Sequence, residues 1–134
     1  MSTTTTFSFA VDSPLTYEEA DSRVRELLKA EGFGVLTEID VRATMREKLD
    51  VDFPRYEILG ACNPVLAHRA LVAEPGVGLL LPCNVVVAER GESGSRVSFM
   101  DPVAVLGLIQ NAALASIATD AAERLHRVAA ALVS

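Results

Sequence analysis

The apolar run GLLLPCNVVVAE, at residues 78–89, is the longest in the chain and limits the folds that are open to it. A run of this length could form a buried helix, but Pro82 would break a helix and Val85-Val86-Val87 favours a strand. Proline cannot donate a hydrogen bond to a neighbouring strand, so it belongs at a sheet edge or at a β-bulge. We therefore predict a strand over this run, with Pro82 as an edge or bulge residue.

Further strands are predicted by alternation of apolar and polar side chains. Residues 90–94, RGESG, are typical of a turn, and residues 96–101 alternate with Val97 and Phe99 facing inward. These residues and the apolar run therefore form a hairpin. Three more strands are expected at the start of the chain, with Thr5, Phe7, Phe9 and Val11 on one side, and at residues 35–41 and 56–62.

Helices are predicted where polar caps precede apolar residues at helical spacing. Thr16 and Glu19 form a capping box, and the helix that follows carries an Asp21–Arg25 pair on its solvent side before Gly32 and Gly34 end it. Asn63-Pro64 and Asp101-Pro102 each combine a preferred N-cap with proline at the first helical position. Further helices are expected at residues 42–49 and over a long amphipathic C-terminal segment with Leu114, Ile117, Ala121, Leu125, Val128 and Leu132 on its apolar face.

This order of elements predicts an α+β fold, with an antiparallel sheet of about five strands and helices mainly on one face. The length of 134 residues is typical of one domain, which we place at residues 1–134. The net charge of −6, with no basic face, argues against nucleic acid and anionic membranes as partners. The first residues lack the features of a signal peptide, and no apolar run is long enough to span a membrane, so we expect a cytoplasmic protein with reduced thiols.

The sequence contains no recognisable catalytic machinery. Neither Gly32-x-Gly34 nor Gly76-x-Gly78 completes a phosphate-binding motif, and no H-E-x-x-H is present. His126, between two arginines of the last helix, is interpreted as a solvated side chain. We therefore predict no cofactor, and we favour a binding protein over an enzyme.

The two cysteines, Cys62 and Cys83, are the main candidates for a reactive or metal-binding site. Cys62 directly precedes an N-cap, and the positive end of a helix dipole lowers thiol pKa values. Together with His68 on the same helix and Cys83, it could hold a soft metal with one position open. The alternative is simple burial, since strand alternation would place Cys83 with Leu79, Leu81, Val85 and Val87 in the core.

Four segments resemble a widespread prokaryotic family, the domain of unknown function 302: ILGACNP (58–64), AHRAL (67–71), GLLLPCNVVV (78–87) and MDP (100–102). The resemblance runs over nearly the whole chain. It implies a small α+β domain with a curved antiparallel sheet, similar in outline to the TATA-binding-protein fold, and a tendency to form homodimers. It implies no established activity, and it marks Asn63, Pro64, Pro82, Asp101 and Pro102.

Our leading hypothesis is a homodimer that binds a small ligand or a partner, in a pocket rimmed by Cys62, Asn63, Cys83 and Asn84. The alternative is a thiol-dependent redox or soft-metal-binding protein that uses Cys62 with Cys83 and His68. The homodimer is expected because Leu80, Pro82 and Val86 would form a second apolar face on the predicted strand, which a symmetric partner would bury.

Overall fold

The structure is a computed structural model that describes residues 2–91 and 93–133. Its strands are β1 (Ser2–Thr4), β2 (Ser8–Ser13), β3 (Gly34–Asp40), β4 (Tyr56–Cys62), β5 (Cys83–Glu89) and β6 (Ser95–Met100). Its α-helices are α1 (Tyr17–Ala30), α2 (Val41–Leu49), α3 (Pro64–Ala73), α4 (Pro102–Leu106) and α5 (Ala115–Leu132), with short 3₁₀ helices at Pro75–Leu80, Gly107–Ile109 and Ala112–Leu114.

The strands form one antiparallel sheet in the order β1-β2-β6-β5-β4-β3, which confirms the predicted α+β class. In the part of the chain that the structure describes, the sheet has six strands rather than about five, because β1 folds back and pairs with β2. The bend between β1 and β2 contains Phe7, whose side chain is 61% exposed, so the prediction that Phe7 shares one side of a strand with the buried Phe9 and Val11 is wrong. The predicted hairpin of β5 and β6 is confirmed, although Glu92 in its turn lies outside the described residues.

One face of the sheet, here called the inner face, is covered by α1 and α5. In register across it lie Phe9, Phe99, Val85 and Leu59, and beside them Val11, Val97 and Val87. All seven are buried. The predicted apolar stripe is confirmed on α5 at Ile117, Ala121, Leu125, Val128 and Leu132, all of which are buried, whereas Leu114 is buried in the 3₁₀ helix that precedes α5. The core is therefore built between this face and the two longest helices.

The predicted helix starts are confirmed at atomic level. Thr16 Oγ1 accepts from the Glu19 amide at 3.1 Å, and Glu19 Oε1 accepts from the Thr16 amide at 2.9 Å, which completes the capping box. Asn63 caps α3 and Asp101 caps α4, each followed by proline in the first turn. Among the described residues, no helix is both long and apolar enough to cross a membrane.

The apolar run that predicted a single strand divides into two elements. Its first part belongs to the 3₁₀ helix Pro75–Leu80, and β5 begins only at Cys83. Leu79 is 91% exposed, so it does not share a buried face with Cys83 as predicted. Pro82 is neither an edge residue nor a bulge, because it lies directly before an interior strand and therefore removes no hydrogen bond from it.

Gly60 of β4 marks a close approach between three segments. A β-carbon added there would lie 2.1 Å from Thr37 Oγ1 and 2.7 Å from Pro82 Cγ. The threonine hydroxyl can rotate away, but the proline ring has little freedom to move. The space above Gly60 is thus what allows Pro82 to reach the sheet just before β5.

We expect Gly60→Ala to lower the free energy of unfolding by about 1–3 kcal/mol, the usual cost of an overpacked interior. Gly34→Ala is the matched control, because a β-carbon at Gly34 meets no atom within 4 Å. That control should leave stability unchanged or raise it slightly. Urea denaturation of both variants measures the difference, and equal midpoints would contradict the close approach at Gly60.

Candidate functional site

A small cavity lies where the ends of β4 and β5 meet α3, α4 and α5. Its volume is about 30 Å³, and its lining is largely apolar, with Phe33, Leu66, Pro82, Leu106 and Ile117 among the residues around it. Three of the four residues predicted to rim a pocket also line it: Cys62, Asn63 and Cys83. The structure therefore brings these three together, since Ala61 pairs with Cys83 across the two strands.

Asn84, the fourth predicted rim residue, lies elsewhere. It pairs with Gly60 and is exposed on the sheet face opposite the inner face, here called the outer face. The alternation of strand side chains separates it from Cys83, because successive residues point to opposite faces. A pocket that includes both residues would need a bulge at this point, and β5 pairs with β4 in unbroken register.

Asn63 has a structural role as the N-cap of α3. It is 8% exposed, and its Oδ1 accepts from the Leu66 amide at 3.1 Å as the N-cap of α3. Its Nδ2 lies against Gly32, which has a φ of +86° that favours glycine. The side chain thus lies between the start of α3, which it caps, and the turn that follows α1, at the side of the cavity.

The cysteine environment does not favour thiolates. Burial raises the pKa of the half-buried Cys62 thiol, which is the opposite of the predicted lowering by the helix dipole. Burial, with a smaller effect from Cys62, raises the pKa of Cys83 to about 11. Cys62 is set off from the α3 dipole by Asn63, whose side chain already accepts from the first turn. Desolvation therefore dominates at both sulfur atoms.

The predicted metal ligands are not assembled in one place. His68 is exposed on α3, whereas Cys83 is buried at the start of β5. Across residues 2–91 and 93–133, no group of three His, Cys, Asp or Glu side chains is placed to hold a metal ion. The geometry thus gives no support to a soft-metal site formed by Cys62, His68 and Cys83.

The outer face of the sheet carries a second, larger depression. It is a groove of about 380 Å³, lined by Phe7, Tyr56, Asn84, Val86 and Met100 together with neighbouring strand residues. Val86 and Ser98 of the groove belong to a row on the outer face, in which the register places Ala10, Ser98, Val86, Ile58 and Ile39 side by side across five strands. This row, here called the outer row, is apolar except for one serine.

A cluster of charged side chains, which the sequence did not predict, lies between α1, β3 and β4. Arg25 Nε donates to Asp21 Oδ1 at 2.8 Å, Arg25 Nη1 pairs with Glu38, and Arg25 Nη2 lies 3.8 Å from Glu57 Oε2. The predicted Asp21–Arg25 pair is confirmed, but it lies against β3 and β4 and not on the solvent side of α1 as predicted. The inward position of Glu57 could not be predicted from the sequence, because only the register of β4 shows that it lies beside Val87 on the inner face.

Comparisons with known proteins agree on one family. The family model described as domain of unknown function DUF302 matches residues 9–132. A crystal structure of an uncharacterized conserved protein DUF302 from Bacillus stearothermophilus superposes on this chain with a TM-score of 0.87. The two sequences are 34% identical, over 94% of this chain and 98% of that chain. No curated protein matches the chain.

We expect Cys62 to react with iodoacetamide several-fold faster than Cys83 in the native protein. Cys62 is half-buried, whereas Cys83 is 6% exposed and burial raises its pKa to about 11. Both rates should rise with pH beyond pH 8.5, because burial raises both thiol pKa values and only the thiolate reacts. Mass spectrometry on the single variants Cys62→Ser and Cys83→Ser assigns each rate.

Fast labelling of Cys62 near neutral pH would contradict the raised pKa and would favour the thiol-dependent alternative. Equal and negligible labelling of both residues would leave them as packing residues and would end the redox hypothesis.

Proposed function

Since the chain belongs to the DUF302 family, whose description assigns no activity, we propose from its geometry that it is a non-catalytic binding module that works as a homodimer. The binding surface in this proposal is the outer face of the sheet. The observation that carries it is the outer row, which offers three aliphatic side chains, Val86, Ile58 and Ile39, beside one another on adjacent strands.

An apolar outer row needs a cover, because an antiparallel sheet with one face in water normally alternates apolar and polar residues. The helices that build the core lie on the inner face, and Ile39 at the sheet edge is 48% exposed. Phe7 adds an exposed aromatic ring at one end of the same groove. Contiguous apolar surface of this kind is typical of protein interaction sites.

A second copy of the chain is the simplest partner for this face. In a twofold symmetric pair the same patch serves both subunits, so one apolar surface is buried against itself. Val86 lies in the middle of the outer row, between Ser98 and Ile58, so it is the natural centre of such an interface. Exposed aromatic side chains such as Phe7 are the type enriched at interface cores.

The cavity at the cysteines is a weaker basis for a binding function. Its volume of about 30 Å³ is enough for one water molecule, whereas organic ligands occupy pockets of roughly 300–1,000 Å³. A small-molecule function at Cys62 and Cys83 would therefore require α3 or α4 to move. The outer groove, at about 380 Å³, needs no such movement.

We expect the wild-type protein to be a dimer in light scattering at micromolar concentration and Val86→Lys to be shifted toward monomer. A lysine at this position would place a charge at the centre of the buried patch, which is strongly unfavourable. Because Val86 faces away from the core built on α1 and α5, the far-ultraviolet circular dichroism of the variant should stay close to wild type.

Leu79→Lys is the matched control. Leu79 is highly exposed on the 3₁₀ helix and does not line the groove, so this change should leave the dimer intact. A charge at Leu80 would be a poor test, since that residue packs partly against the core. A monomeric wild-type protein, or a Val86→Lys variant that dimerises like wild type, would refute the proposed interface.

A further inference from the structure

The charged cluster between α1 and the sheet is unbalanced. Three carboxyl groups, those of Asp21, Glu38 and Glu57, surround the single guanidinium of Arg25. Glu57 is the least exposed of them, with 14% of its side chain accessible. If all three carboxyl groups were ionised, the cluster would hold an excess of negative charge next to the buried inner face.

The hydrogen bonds around Glu57 point to a proton held within the cluster. Glu57 Oε1 is buried, and no donor group of the described residues hydrogen-bonds it. Its Oε2 lies 3.8 Å from Arg25 Nη2, and Asp21 Oδ1 lies 2.8 Å from Nε of the same guanidinium, so the two carboxyl groups are held side by side and within reach of a hydrogen bond to each other. Two carboxyl groups can hydrogen-bond to each other only when one of them carries a proton.

The proton belongs mainly to Glu57. Burial first, and then the Asp21 carboxylate, raise the pKa of Glu57 to about 8. Burial also acts to raise the pKa of Asp21, but hydrogen bonds from Glu57 and Arg25 outweigh it and lower that pKa. The pair therefore consists of a protonated Glu57 that donates to an ionised Asp21.

The other charged groups around Glu57 do not supply a compensating positive charge. From α1, Tyr17 faces it together with Asp21 and Arg25, and burial raises the pKa of Tyr17, so the phenol stays neutral. From β3, Glu38 and Asp40 add negative charge. Arg55, before β4, stacks over the Tyr17 ring and pairs with Glu18. The adjacent positions of β5 and β6 are the neutral Val87 and Val97.

We propose that the Asp21–Glu57 carboxyl pair is a proton-dependent latch that holds α1 on the sheet and opens when Glu57 loses its proton. In the closed state, one proton joins a residue of α1 to a residue of β4. Loss of that proton removes the hydrogen bond and leaves two carboxylates in contact, with Glu38 close by. The Arg25 guanidinium, which contacts all three carboxyl groups, is already shared among them.

The pH range of the latch follows from the two states of Glu57. The pKa of Glu57 is about 8 in the folded chain, against an ordinary value of 4.5 in the unfolded chain. The folded chain binds this proton more tightly, so the contribution of Glu57 to stability is complete below about pH 4.5. It is lost progressively as the pH rises through about 8.

The first test compares the stability of three chains in urea at about pH 6.5 and about pH 9. For wild type, we expect the Glu57 equilibrium to raise the unfolding constant roughly thirtyfold between these values. Glu57→Gln keeps the shape and the donor but cannot ionise, so it should lose this part of the pH dependence. Glu47→Gln, at an exposed carboxyl of α2 outside the cluster, should behave like wild type.

A second readout separates a latch from a general loss of stability. Amide hydrogen exchange, corrected for its intrinsic pH dependence, should accelerate between pH 7 and pH 9 in α1 more than in α5. Glu57→Gln should abolish this difference. A direct titration of the Glu57 side-chain carboxyl by carbon-13 NMR on the wild-type protein should give a midpoint near 8, and Asp21→Asn should lower it.

Several results would overturn the latch. A Glu57 midpoint near the ordinary 4.5 would do so without any variant having to fold. So would a Glu57→Gln variant with the same pH-dependent loss of stability as wild type, or exchange in α1 that does not change with pH.

Discussion

Burial of the inner sheet face under α1 and α5 is the constraint on which the rest of the structure depends. The central strands supply β-branched and aromatic side chains to this face, such as Val85, Val87 and Phe99, and each is fully buried. Full burial of side chains of this size stabilises a protein by roughly 1.5–3 kcal/mol each. Because strand side chains alternate, the same burial decides which residues point outward, and so it defines the outer row and the groove as well.

Local signals allowed much of the fold to be predicted from the sequence, and a local ambiguity explains the main error. Caps at Thr16, Asn63 and Asp101 act within a few residues of their partners, so their patterns were sufficient. The apolar run at residues 78–89 contained no such signal at its real division, since leucines of a 3₁₀ helix and valines of a strand are equally apolar. Pro82 lies at the boundary between the 3₁₀ helix and β5. The sequence alone, however, does not distinguish a proline inside a strand from a proline just before one.

One candidate site could be predicted from the sequence and the other could not. Cys62, Asn63 and Cys83 were predicted together as part of a pocket rim, and in the structure they meet where β4 ends and β5 begins. The charged cluster could not be predicted, because the β3–β4 register places Glu38 near Glu57 and the packing of α1 on the sheet adds Asp21 and Arg25. Residues that the family pattern marks also proved structural here: Asn63 and Asp101 cap helices, and Pro64 and Pro102 occupy their first turns.

The latch and the dimer interface that we propose meet on β4, where Glu57 faces inward and Ile58, the next residue, faces outward. Two sites influence each other only if occupation of one changes the free energy of the other. On its two sides β4 is hydrogen-bonded to β3 and β5, so loss of the Asp21–Glu57 contact need not displace the backbone that presents Ile58. The latch acts on the contact between a helix and the inner face, whereas the interface consists of strands. The proposed dimer would therefore form equally well whether or not Glu57 is protonated. It would add stability without shifting the pH at which the latch opens.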